Sequence, residues 1–324
     1  MKDLKKILVV RFSSIGDIVL TSPILRCIKQ HYPNTELHYL TKTSFESIVQ
    51  HNPYVNKVYT IDKDLKECIK SLKKENYDLI IDLHHNLRTL QLKLALRKPS
   101  HSFPKLNFEK WMLVNFKLHE INITHVVDRY FETVHSSGIK YDGKGLDYFI
   151  SPVDEINIAH TFNVTQPYIA FVIGAKFATK ALTVEKIIAA CKLIQHPIIL
   201  LGGKEDQPKG NQIAKACSNT VNGCGQLSLN QSASVLKQAY KVITHDTGLM
   251  HIAAAYHKDL TVIWGSTVPQ LGFSPYLPSD KGSVTNIEVL NLKCRPCSKI
   301  GYQHCPKKHF RCINDIDTES FATI

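Results

Sequence analysis

The sequence predicts an α/β protein built as two doubly wound domains, and three observations carry that expectation. An apolar strand at 6–10 and another at 241–244 each run through a short polar loop straight into a helix start, about 230 residues apart. A strand-then-helix rhythm, which implies a parallel sheet, fills the first half and restarts in the second. The 324 residues are enough for two domains of the usual size, about 150 residues each.

In the first half, strands are expected near 6–10, 36–40, 55–60 and 78–83. Helices are expected near 17–31, 43–50, 63–75 and 87–97, the first being amphipathic through Arg26 and Ile28, with two more near 107–118 and 125–138. The stretch Gly138–Ser151, carrying Gly143 and Gly145 ahead of Pro152, reads as a linker onset. It divides a domain over 1–155 from one over 156–324. The second half repeats the rhythm with strands near 168–173, 198–202, 241–244 and 260–264 and helices near 183–194, 208–217, 228–239 and 248–256. A short last helix near 315–323 could pack back on the first domain.

Composition narrows the class. A 44% apolar content is ordinary for a globular chain. No apolar run reaches the roughly 20 residues that span a bilayer, and the Met-Lys-Asp-Leu-Lys-Lys start leads into a strand instead of a signal-peptide core. Nine cysteines without an export signal suit reduced thiols. These features predict a cytoplasmic protein. The formal net charge of +12 predicts an anionic partner. Basic residues spread over both halves, without zinc-finger, RNP or basic-zipper patterns, argue against nucleic acid. The densest basic stretch, Arg88 to Lys117, alternates with leucines and aromatics, which suits docking on an anionic membrane surface, although a helix pair with one solvated basic face reads equally well.

Candidate site residues lie where strands end, because ligands of open α/β sheets collect there. The loop after the first strand offers Arg11, Ser13, Ser14, Gly16 and Asp17. Strand 78–83 ends in His84-His85-Asn86, with Arg88 following, a polar group placed to line a ligand pocket. After strand 241–244, Asp246 fits a helix N-cap, and the first amides of the helix at Thr247 and Gly248 suit a phosphate. His251 lies four residues past Thr247 on the same helix face. Read alone, this segment is better taken as a capped helix with a buried histidine. The loop of Lys176, Thr179 and Lys180 precedes another helix, where an ammonium can neutralise a diphosphate. Gly202-Gly203-Lys204-Glu205-Asp206 lets backbone approach a ligand, with Glu205 placed for ribose hydroxyls and Asp206 for capping. Met250 belongs near a base or in the core. No Gly-x-Gly-x-x-Gly follows either first strand, which disfavours a nicotinamide oxidoreductase.

Arg-Phe-Ser-Ser-Ile-Gly-Asp at 11–17 together with Asp-Thr-Gly-Leu-Met-His at 246–251 resembles glycosyltransferase family 9, the bacterial ADP-heptose:lipopolysaccharide heptosyltransferases. The resemblance spans nearly the whole chain. It implies the GT-B type of fold, with two Rossmann-like domains facing each other across a cleft, an N-terminal acceptor domain and a C-terminal nucleotide-sugar domain. It implies an inverting transfer of heptose from ADP-heptose to a lipid-linked lipopolysaccharide inner-core acceptor, at the inner face of the inner membrane. Asp17 then matches the base, Lys180 the lysine on the donor diphosphate, and Glu205 a position contacting the nucleoside. The family usually carries tryptophan two residues after that lysine, whereas this chain has Leu182. Asp17 as a helix cap is the plainer alternative, and the two roles are compatible.

No metal or other cofactor is expected at the active site. Asp62-Lys63-Asp64 and Asp315-Ile316-Asp317 match the letters of a cation-binding Asp-x-Asp, but both precede helices and suit capping better. Cys294, Cys297, Cys305 and Cys312 open with a Cys-x2-Cys and resemble a structural zinc knuckle, although similar cysteine-rich ends in family 9 look like a packed loop. Other readings are a family 9 enzyme using another nucleotide sugar such as UDP-GlcNAc, or a non-catalytic nucleotide-sugar binder at the membrane. Oligomeric state is not legible.

Overall fold

Two all-parallel sheets organise the chain in the computed structural model, which describes residues 4–62 and 64–323. The first is formed by β1 (Lys6–Val10), β2 (Glu36–Lys42), β3 (Lys57–Ile61), β4 (Leu79–Asp82) and β5 (Ser100–Ser102), in the order β3-β2-β1-β4-β5. Helices α1 (Ile15–Val19), α2 (Ser22–His31), α3 (Leu65–Lys74) and α4 (Leu87–Leu96) make the crossovers. Residues 7–10 of the central β1 are fully buried, as expected of a strand covered on both faces. Leu8, Val10, Leu40, Ile80, Leu72 and Leu92 form the core between this sheet and α3 and α4.

The expected helix 17–31 is two helices. Pro23 sits in the first turn of α2 and has no N–H for the Val19 carbonyl, so the chain stops and restarts at Leu20 and Thr21. Thr21 Oγ1 donates to the Ile18 carbonyl at 2.7 Å across the break. Arg26, near the middle of α2, is buried. Its Nε and Nη2 donate to the two oxygens of Asp142 at 2.8 Å each, Nη1 pairs with Asp147, and Nη2 also reaches the Gly145 carbonyl. The expected linker onset is thus clamped onto α2. Arg26→Ala is expected to cost about 2–3 kcal/mol, because it removes a buried guanidinium and leaves two partly exposed carboxylates without their counter-charge; urea denaturation measures it.

After β5 come α5 (Asn107–Phe116), α6 (Val126–Phe131) and α7 (Ile158–Phe162). The second sheet comprises β6 (Ile169–Val172), β7 (Ile198–Leu201), β8 (Thr220–Asn222), β9 (Lys241–His245), β10 (Leu260–Trp264) and β11 (Val284–Glu288), in the order β11-β10-β9-β6-β7-β8. Its helices are α8 (Val184–Leu193), α9 (Gln207–Ala216), α10 (Leu229–Gln238), α11 (Gly248–Ala255) and, near the end, α12 (Arg311–Asn314). Among the described residues no helix is long and apolar enough to cross a membrane.

The single boundary expected at 155/156 gives way to three crossings. One compact unit holds 1–105 and 124–149, the other 106–123 and 150–324. Segment 106–123 joins the second unit because Leu113 and Ile123 bury against Val268 and Leu271, while Lys110 Nζ lies 4.5 Å from the Phe273 ring centre. The expected helix 315–323 is a single 3-10 turn, Glu319–Phe321. It packs into the second unit's own core, where Phe321 is fully buried and stacks on Phe171.

Candidate functional site

Each sheet has one switch point, where successive strands depart in opposite directions and the carboxyl ends open a crevice. In the first unit it lies between β1 and β4, and Arg11 spans it. Nε donates to the Ser13 carbonyl at 2.7 Å, Nη1 to the Leu83 carbonyl just past β4, and Nη2 pairs with Asp17 Oδ1 at 2.7 Å. Asp17 Oδ2 accepts from Ser14 N at 3.1 Å and Ser14 Oγ at 2.7 Å. Helix α1 starts at Ile15 with Ser14 at the N-cap, so Asp17 is its third residue and not the cap. Its carboxylate folds back on the turn. Burial alone would raise the Asp17 carboxyl, but Arg11 and the two Ser14 donors outweigh it and hold the group below the usual range. Asp17 is therefore an ionised acceptor at neutral pH. Gly16 is buried within that first turn.

Across the same switch point, His84 stands on the turn after β4 with its ring 5.0 Å from Phe12. Its Nδ1 is buried and makes no hydrogen bond. Burial, then the Arg11 charge, pushes the imidazole down to about 4, so it is neutral and able to accept. His84, Asn86 and Arg88 line a cleft of about 290 Å³ with Phe12, Lys42 and Leu87. Asn86 Oδ1 is already used, accepting from Thr89 N as the N-cap of α4. The sequence reading missed Asp82, which is fully buried at the end of β4. Oδ1 accepts from His84 N and His85 N, and Oδ2 from Lys93 Nζ at 3.1 Å, which fixes the turn. An acid closing an apolar strand was the available signal.

In the second unit the switch point lies between β6 and β9. The loop after β6 carries Lys180, and β9 runs into Asp246 and Thr247, the N-cap of α11. Lys180 Nζ meets Asp246 Oδ2 at 2.6 Å and the Asp246 carbonyl at 3.2 Å; Thr267 Oγ1 donates to the same carboxylate at 2.8 Å. Asp246 thus holds the ammonium beside the helix start. Thr247 Oγ1 is buried and has no hydrogen-bond partner, and it sits at amides that lack partners within their helix. A buried hydroxyl of that kind costs free energy unless something completes it.

Other expected donor residues divide. Thr179 does not present its hydroxyl: it donates to the Tyr302 carbonyl at 2.9 Å and accepts from Tyr302 N and Ser266 Oγ at 2.8 Å each, its full capacity. It positions Lys180. Met250 is fully buried in α11 and His251 nearly so. Lys176 and Glu205 are exposed, the former 5.6 Å from the Phe177 ring. Asp206 is buried and accepts from Gly203 N at 3.0 Å, closing the 3-10 turn Lys204–Asp206; it stands at the N-cap of α9 but makes no side-chain cap bond to that helix.

His245, the last residue of β9, carried no signal of its own in the sequence. Its Nδ1 lies 3.0 Å from the Val172 carbonyl on β6 and its Nε2 accepts from Leu182 N at 3.0 Å. The ring therefore ties the Lys180 loop to both switch-point strands, as a neutral tautomer protonated at Nδ1. Burial lowers its pKa to about 4. The unfolded chain binds this proton near 6.5. Stability is thus fully present above pH 6.5 and is lost as pH falls toward 4, by about 3 kcal/mol from this group. Urea midpoints at pH 7 and pH 4.5 measure the loss; an unchanged midpoint contradicts the locked neutral ring.

The zinc-knuckle expectation is not met. Among the described residues the only group of three or more His, Cys, Asp and Glu ligand atoms converging within 4.8 Å is that of Glu36, His38 and Glu75. That cluster is at the amino ends of the first sheet, and Lys6 already pairs with both carboxylates. Cys294 Sγ instead lies 3.9 Å from His309 Nε2, and Cys297 Sγ turns to the Cys294 carbonyl. Of the two Asp-x-Asp matches, Asp64 caps α3 through Lys66 N and Asp317 accepts from Glu319 N; Lys63 lies outside the described residues.

The family model described as glycosyltransferase family 9 (heptosyltransferase) matches residues 66–304. The chain belongs to this family. It is a glycosyltransferase of the GT-B fold. It is 24% identical over 288 residues to lipopolysaccharide heptosyltransferase 1 of Campylobacter coli, covering 81% of this chain and 84% of that protein. Among solved structures, the family 9 glycosyl transferase of Veillonella parvula superposes with a TM-score of 0.78 at 18% identity, over 100% of this chain and 96% of that one. The E. coli heptosyltransferase WaaC with ADP-2-deoxy-2-fluoro heptose gives 0.66 at 20% identity, over 86% and 92%.

Proposed function

We propose that this family 9 enzyme transfers heptose from ADP-heptose to a sugar of a lipid-linked lipopolysaccharide inner core, with inversion and without a metal ion. The observation that carries the reading is the grouping of the Lys180 ammonium, the unsatisfied Thr247 hydroxyl and the start of α11 at one switch point. Together they suit a diphosphate that gains charge as it leaves. The matched relative's name and the ADP-2-deoxy-2-fluoro heptose bound in WaaC support the donor.

In the proposed reaction Asp17 accepts the proton of the acceptor hydroxyl. The freed oxygen attacks the anomeric carbon from the face opposite the diphosphate. The bond from that carbon to the β-phosphate oxygen breaks, ADP leaves with the electron pair, and the configuration inverts. Lys180 and the helix amides take up the leaving charge. Arg11 holds Asp17 ionised and His84 offers the acceptor a neutral lone pair. Attachment to the inner face of the inner membrane follows from the lipid-linked acceptor and the +12 charge.

The test is a panel of nucleotide sugars with core-truncated lipopolysaccharide, with and without EDTA. ADP release from ADP-heptose alone, unaffected by chelator, is the expected result. UDP release assigns another donor, EDTA-sensitive release removes the metal-free mechanism, and binding without release leaves a non-catalytic binder.

A further inference from the structure

Helix α4 is apolar on two opposite sides. Thr89, Leu92 and Leu96 are buried against the first sheet. Leu87, Leu90 and Leu94, at spacings that place them on one helix face, are 78%, 47% and 66% exposed. Three leucines in a row on the outside of a helix constitute a surface that something else covers. We propose that this face seats on an anionic lipid bilayer.

Charge selects that occupant. Helix α4 has no acidic residue, and Arg88 and Arg97 flank the leucines in solvent. Beyond Leu94 a groove of about 600 Å³ opens between α3 and α4, with Lys73, Arg97 and Lys98 around Leu72, Leu94 and Ala95. A second copy of a chain carrying +12 would bring like charge to this face, whereas anionic headgroups complement it. The structure also narrows the basic stretch 88–117. Lys93 turns inward to Asp82, Lys110 packs on Phe273 and Lys117 donates to the Pro296 carbonyl, so these lysines do not build the surface.

The stripe ends at the acceptor side of the unit. Leu87 borders the cleft that holds His84, Lys42 and Arg88. A lipid-anchored acceptor in the same bilayer would therefore meet that cleft with its sugar end; the inference rests on the membrane attachment in the proposed function and adds the face that makes it.

The test uses the whole protein and two outward leucines that do not border the cleft, in the variant L90Q/L94Q. An unchanged urea midpoint confirms folding. The wild type is expected to sediment with phosphatidylglycerol/phosphatidylethanolamine vesicles, less so in high salt, and not with phosphatidylcholine alone. The variant is expected to bind at least about tenfold more weakly. Its KM for vesicle-embedded acceptor should rise similarly, with kcat/KM on a delipidated core oligosaccharide unchanged. Equal vesicle binding by variant and wild type, or a wild type that ignores anionic vesicles, overturns the proposal. A wild-type dimer in sedimentation that L90Q/L94Q dissociates assigns the face to a second copy instead. Vesicle binding without any transfer to the oligosaccharide would leave the docking intact and sink the reaction.

Discussion

Alanine at Lys180 is expected to lower kcat for ADP release about 100- to 1,000-fold, the usual effect of removing one fixed positive donor from a developing anion. The neighbourhood makes the upper end the better expectation. With the ammonium gone, Asp246 keeps Thr267 as a partner, and its carboxylate remains beside the proposed diphosphate position with no cation against it. K180A/D246N should then recover part of what K180A alone loses, because the repulsive charge is removed with its partner. Steady-state kinetics and ADP binding by calorimetry separate the two roles. A larger change in kcat than in ADP affinity places Lys180 on the transition state. Activity within threefold of wild type would reduce it to an ordinary loop charge.

Asp17→Asn is expected to lower kcat by about 100- to 10,000-fold with donor affinity unchanged, the range for removal of a general base. It should also destabilise the first unit, since Arg11 is buried and loses its counter-charge. Ser14→Ala separates the two effects. Losing the Ser14 hydroxyl removes one of the contacts that hold the Asp17 carboxyl down, so its pKa rises. Because the ionised form is the active base, the acid limb of kcat against pH should move to higher pH while the plateau is retained. An acid limb that stays in place would show that another group titrates there.

Much of this site was readable without coordinates because it lies at strand ends. The runs Lys6–Val10 and Lys241–His245 could be little else than buried strands, and the polar loop after each had to reach the carboxyl edge of its own sheet. Pro23 was a readable stop that was read through. The short strands Ser100–Ser102, Thr220–Asn222 and Val284–Glu288 were not readable, because their polar residues become strands only through the ladders offered by β4, β7 and β10.

By itself the sequence determined the two-domain α/β plan, the family, and which loops carry Arg11, Asp17, Lys180 and Thr247, since these follow from local periodicity and strand-to-helix junctions. Only the tertiary structure decided what those side chains do. It bound Asp17 to Arg11, saturated the Thr179 hydroxyl, made His245 the tie of the Lys180 loop, kept the four thiols from converging and drew 106–123 into the second unit. Each outcome depends on a partner dozens of residues away or more, or on the direction a side chain takes from its turn, and no local spacing encodes either.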